Sequence, residues 1–95
     1  MRERDIEKYF VKAVERAGGM SWKFSSPQHR GVADRIALLP ASGVRPAAVW
    51  FIELKAPGGR LTSLQQMFAA TIQGFRGNYA CLSSVEAVDE WVSRL

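Results

Sequence analysis

Ala47-Ala48-Val49-Trp50-Phe51-Ile52-Glu53-Leu54-Lys55 decides the fold. Val, Trp, Phe and Ile crowd this stretch, and such side chains pack well on a pleated surface. Alternation puts Phe51, Glu53 and Lys55 on one face of the strand and Trp50, Ile52 and Leu54 on the other. Two opposite charges therefore project side by side from the end of a core strand. Ala56-Pro57-Gly58-Gly59-Arg60 breaks the strand.

Working outward, Val32 to Leu39, ended by Pro40, reads as the preceding strand, and the loop Ala41–Pro46 joins the two as a hairpin. Before the polar turn Ser25–Gly31, Met20, Trp22 and Phe24 alternate with Ser21 and Lys23, the pattern of a half-buried strand with Lys23 turned away from the apolar face. Ile6, Tyr9, Phe10, Ala13, Val14 and Ala17 recur at helical spacing and meet a stop at Gly18-Gly19. Downstream, Thr62-x-x-Gln65 and Ser63-x-x-Gln66 both fit a capping box for a helix carrying Leu64, Phe68, Ile72 and Phe75. Gly77-Asn78 turns into a short strand, Tyr79–Leu82. Ser83-x-x-Glu86 then opens a last helix with Val85, Val88, Trp91, Val92 and Leu95 on one side. The order α-β-β-β-α-β-α predicts one mixed α/β domain over residues 1–95.

With 95 residues, a core is feasible but not generous. Three Trp and five Phe exceed what one small core needs, so a homodimer interface is a plausible destination for some of them. A net charge of +4 favours an anionic partner. The one cysteine, Cys81, permits neither a disulfide framework nor a thiolate metal site within the chain, and it suits a reducing cytoplasm. No apolar run is long enough for a membrane span, and Met1-Arg2-Glu3-Arg4-Asp5 is not a signal peptide. The expectation is a cytoplasmic protein with no membrane partner.

Asp34 opens its strand just after Gly31-Val32-Ala33, and antiparallel pairing brings it beside Glu53 if the register allows. Two carboxylates and an ammonium would then converge. Hard carboxylate oxygens hold Mg²⁺, which keeps waters and accepts a phosphate oxygen; the metal activates a water and neutralises charge developing at phosphorus. Lys55 could orient that water or stabilise the added negative charge; so close to two acids it stays protonated, which favours an electrostatic role over that of a general base.

Gly31-Val32-Ala33-Asp34, Phe51-Ile52-Glu53-Leu54-Lys55, Pro57-Gly58-Gly59-Arg60-Leu61 and Gln65, together with Glu7 and Trp22-Lys23-Phe24 before Ser26-Pro27, resemble the VRR-NUC branch of the PD-(D/E)XK nuclease superfamily. The resemblance covers nearly the whole chain and is to the standalone phage and bacterial type. It implies the restriction-endonuclease-like αβββαβ core, here with an extra C-terminal helix. It makes Asp34 and Glu53 metal ligands, Lys55 the motif lysine, Gln65 a supporting residue and Glu7 an acid that reaches the metal through water. It further implies a Mg²⁺-dependent DNA endonuclease, with Mn²⁺ substituting, acting as a homodimer on branched or four-way junction DNA. Ala33 departs from the family, which usually has Pro there.

Bland readings stand beside these. Capping alone explains Gln65, and Glu7 equally reads as a solvated helix residue or a partner of Lys8 or Lys12. Lys23, Arg30, Arg35 and Arg60 flank the site and suit DNA phosphates, although each is individually an ordinary surface charge. His29 is a loop residue with DNA proximity at most. Trp50 and Trp91 lie on apolar faces and belong to core or interface. The rival functions are a non-cleaving DNA-binding subunit of a replication, repair or packaging complex, and an interaction domain with an incidental Glu53–Lys55 pair.

Overall fold

The expected order of elements is the order found. The computed structural model covers residues 1–95 and contains α1 (Glu3–Arg16), β1 (Met20–Lys23), β2 (Arg35–Leu39), β3 (Ala48–Leu54), α2 (Ser63–Gly74), β4 (Asn78–Leu82) and α3 (Val85–Ser93). The sheet runs β1-β2-β3-β4. Its first three strands form an antiparallel meander, and α2 is the crossover that sets β4 parallel to β3. The β2–β3 hairpin is closed by reciprocal Ser42–Arg45 backbone hydrogen bonds of 2.9 Å.

Local chemistry fixes the ends of α1. The Asp5 carboxylate accepts the Arg2 backbone N–H at 3.0 Å, and Glu3 with Asp5 in the first turn and Arg16 in the last complement the helix dipole. Gly18 then takes φ +86°, which a side chain resists.

One face of the sheet carries the main core. Ile6, Phe10 and Val14 from α1 and Val88 and Trp91 from α3 close over Ala37, Leu39, Ile52, Leu54 and Leu82. Each large side chain so buried stabilises the fold by about 1.5–3 kcal/mol. Trp91 stacks edge-on against Trp50 (5.6 Å between centroids) and tilts against Phe10 (5.4 Å), so both tryptophans read as apolar-face residues serve this layer.

The other face is only partly covered. Phe68 of α2 packs at 5.6 Å on Phe51 and at 6.2 Å on Tyr79, and Phe24 closes the cluster from the β1 side. Beyond the reach of this single helix the surface is bare: Trp22 is 57% exposed, and Met20 and Val49 are about half exposed. The alternation in Met20–Phe24 thus marks a face correctly, but burial of that face stops at Phe24. Phe75, read as part of the apolar side of α2, instead forms the C-cap of the helix and is 86% exposed.

Two boundaries also differ from expectation. β2 starts at Arg35, leaving Val32 to Asp34 in the loop, because only the Asp34 carbonyl continues the pairing, by accepting the Phe24 N–H at 2.8 Å. Ser84, not Ser83, caps α3, with its hydroxyl accepting the Ala87 N–H at 3.0 Å. No helix is long and apolar enough to cross a membrane.

Candidate active site

The β2–β3 register sets the site. Arg35 faces Ile52, so one further step in the same antiparallel register puts Asp34 opposite Glu53. The Asp34 side chain is pinned there, because its Oδ2 accepts the Leu54 backbone N–H at 2.8 Å. The loop before it is equally constrained. Gly31 sits at φ +85°, and a Cβ at that position would lie 2.6 Å from the Leu64 carbonyl oxygen, so the loop presses directly on the first turn of α2.

Glu53 is the buried charged residue of the molecule, 2% exposed. Its Oε2 accepts a hydrogen bond from Gln65 Nε2 at 3.2 Å, whereas Oε1 is buried without a partner. Burial, and then the neighbouring Asp34 carboxylate, which disfavours a second negative charge beside it, push the Glu53 carboxyl up to about 8. The Lys55 ammonium pulls the other way and does not prevail.

Gln65 makes the contacts of both readings at once. Its Oε1 accepts the Thr62 N–H at 2.9 Å while its own N–H reaches Thr62 Oγ1 at 3.2 Å, which completes the capping box, and its Nε2 remains free to donate to Glu53. A glutamate at this position would cap equally well and meet Glu53 with a second negative charge.

Lys55 lies just past β3, with its N–H donating to the Leu82 carbonyl at 3.1 Å. Its stem runs along Gly59, where an added Cβ would approach the Lys55 Cβ to 3.2 Å. The Pro57-Gly58-Gly59 segment is therefore shaped to the lysine. Its ammonium forms no ion pair; the two pairs present are Arg35–Glu7 and Arg94–Glu90.

Glu7 follows neither helix-surface expectation. Arg35 Nε binds its Oε2 at 2.9 Å, and Arg35 also donates to Ser21 Oγ at 3.3 Å, so α1 is clamped to the strands. Glu7 still lines a cleft of about 300 Å³ with Glu3, Lys23, Phe24, Ser25, Asp34 and Leu54. Arg35, spent on this clamp, is not open to a phosphate. Glu3 escaped the sequence reading, although its i, i+4 relation to Glu7 places both acids on one side of α1. Arg30 and His29 lie in the exposed β1–β2 loop and Arg60 in the exposed loop before α2.

No three His, Cys, Asp or Glu side chains come close enough to hold an ion among themselves. The facing pair Asp34 and Glu53 could supply direct oxygens, and Glu7, expected to reach a metal only through water, lines the same cleft as Asp34. Two hard carboxylates, one of them with a buried unpartnered oxygen, fit Mg²⁺, a cation bound through one or two carboxylates plus waters and phosphate.

An antiparallel three-stranded meander, a crossover helix, a parallel fourth strand, and an Asp, a Glu and a Lys at one end of the sheet define a PD-(D/E)XK-like fold. Within that class the chain has the fold of a VRR-NUC domain. A solved structure described as a VRR_NUC domain matches 96% of this chain and 94% of its own with a TM-score of 0.85 at 23% identity. The chain is also 43% identical, over 65 residues, to "Putative nuclease p44" of Acyrthosiphon pisum secondary endosymbiont phage 1. That match spans 68% of this chain and 64% of the phage protein. No family model matches the chain.

Proposed function

We propose that residues 1–95 act as a DNA endonuclease that depends on a divalent metal ion, Mg²⁺ with Mn²⁺ as a substitute. The observation that carries this reading is the Asp34–Glu53 pair: two facing carboxylates, one buried with an unpartnered oxygen, that repel each other and lack a contacting counter-ion. Such a pair is costly in a protein unless a cation joins it. The fold and the likeness to the phage protein support phosphodiester hydrolysis as the chemistry.

Asp34 and Glu53 hold the ion, which when bound supplies an activated water and positive charge beside the phosphoryl oxygens. Gln65 holds Glu53 Oε2 and so fixes the carboxylate plane, acting as a positioning residue. The Lys55 ammonium stabilises negative charge growing on the attacked phosphate. Lys23, at the cleft wall, and Arg30 and Arg60, on the flanking loops, bind neighbouring phosphates without reading sequence. Arg35 acts through Glu7, holding α1 against the strands behind the cleft.

The bare apolar surface at Met20, Trp22 and Val49 supports pairing of two copies. A pair of sites in one dimer would suit branched or four-way junction DNA. The test is cleavage of end-labelled linear, flapped and four-way junction DNA in Mg²⁺, Mn²⁺, Ca²⁺ or EDTA. Cuts that require Mg²⁺ or Mn²⁺ and favour the branched substrates are expected. Binding to every DNA without a cut would replace this reading with a non-cleaving DNA-binding subunit.

A further inference from the structure

Beside the catalytic cleft, between the Ser25–Val32 loop and α2, lies a second and larger cavity of about 890 Å³. The two are continuous in the sense that Phe24 and Ser25 line both. Their chemistry is opposite. The cleft holds Glu3, Glu7 and Asp34, whereas the groove contains no carboxylate, carries Arg30 and His29 on its rim and has Phe24, Phe68, Met67 and Leu64 for its apolar lining. Met67 is 65% exposed, so its apolar side chain faces the groove without a partner in the chain's core.

An occupant must therefore have a flat apolar part for the aromatic lining and an anionic part for Arg30, and it must be connected to whatever occupies the cleft. A nucleotide meets all three requirements. Base stacking on aromatic and apolar side chains tolerates any sequence, because every base has a π-face. A base paired inside a duplex does not present that face, so only an unpaired or extruded nucleotide enters. Small-molecule and cofactor sites are usually about 300–1,000 Å³, and the groove falls within that range.

We propose that this groove receives an unpaired nucleotide flanking the scissile phosphate, with its base against Phe24, Met67 and Phe68 and its phosphate on Arg30. The assignment rests on the nuclease reading of the Asp34–Glu53 site and adds a basis for structure selectivity. Junctions, flaps and mismatches supply an unpaired nucleotide beside the cut; uniform duplex does not.

Photocrosslinking tests it without requiring cleavage. Oligonucleotides carrying 5-iododeoxyuridine at successive positions are bound to the protein in Ca²⁺, irradiated, and the adducts mapped by mass spectrometry. Adducts on Phe24, Met67, Phe68 or His29 from one position of the series are expected, and Met67→Glu and Thr71→Glu, both at exposed helix positions, should abolish them. Removing the base at that position should weaken binding about tenfold, the scale of one base–aromatic stack. Adducts elsewhere, or none, overturn the proposal, as does a change of oligomeric state in the two variants by light scattering with the adducts unaltered, which would assign the groove to a second copy. Groove adducts with no Mg²⁺-dependent cleavage of any DNA would instead overturn the nuclease reading and leave the groove a nucleotide site.

Discussion

Glu53 is held by neighbours that disagree about its charge. Burial and Asp34 favour the protonated acid, and Lys55 favours the carboxylate, with the balance at about 8. In the unfolded chain the same group ionises near 4.5. Between these values the folded protein retains a proton that the unfolded chain has released, so metal-free stability is greatest at the acid side of the window and falls as pH rises through it. Urea midpoints measured in EDTA should drop across this window, flatten in Glu53→Gln, and flatten in wild type with saturating Mg²⁺, which binds the carboxylate form. A metal-free midpoint that climbs with pH across the window would contradict the assignment. Gln65 offers a second test at this scale. Gln65→Glu keeps the capping acceptor and loses the donor to Glu53, so Mg²⁺-dependent cleavage should fall about 10–100-fold, the usual cost of losing a residue that orients a metal ligand, while circular dichroism leaves α2 unchanged. Strand alternation made Glu53 and Lys55 visible on one face, whereas Asp34 beside them rested on the family resemblance until the β2–β3 register placed it there. The sequence left Gln65 open between two roles because an amide has two ends, and only the folded geometry shows that one end caps α2 while the other contacts Glu53. The Glu7–Arg35 clamp was not legible, since it joins residues 28 positions apart on different elements.

Among the elements, α2 does more than cross over. Its N-terminus brings Gln65 to Glu53, its first turn receives the loop at Gly31, and its middle covers Phe51 and Tyr79. Gly31→Ala should cost about 2 kcal/mol or more, because the residue needs φ > 0 and its Cβ would meet backbone that cannot swing aside. A thermal midpoint lowered by several degrees, with cleavage reduced beyond the loss of folded protein, is expected; an unchanged midpoint would remove Gly31 from the account. Elements with strong patterns, α1 and β3, were legible throughout. Short boundaries were not. Adjacent serines 83 and 84 compete for one cap, and the winner is whichever hydroxyl reaches the Ala87 N–H. Phe75 has helical spacing with Phe68 and Ile72, yet the helix ends at it and leaves it in solvent.

For the whole molecule, one sheet face is closed by α1 and α3, and the other is left open where α2 does not reach. The excess of aromatic residues in the sequence pointed to surplus apolar surface, but which residues were surplus depended on the reach of one helix. Trp22→Glu should convert the proposed dimer into a monomer, read by light scattering, with little change in thermal midpoint, since the side chain already lies outside the core. A monomeric wild type would end that part of the account. The central claim, that Asp34 and Glu53 together hold the metal that cuts DNA, is tested most directly by comparing Mg²⁺-dependent cleavage rates and Ca²⁺-supported DNA affinity in wild type, Asp34→Asn and Glu53→Gln. Asp34→Asn keeps an oxygen for the Leu54 N–H and removes only charge. Loss of cleavage by about a hundredfold or more, the scale of removing one electrostatic element of a catalytic site, with DNA affinity kept, is the result this account predicts; undiminished cleavage in either variant would contradict it.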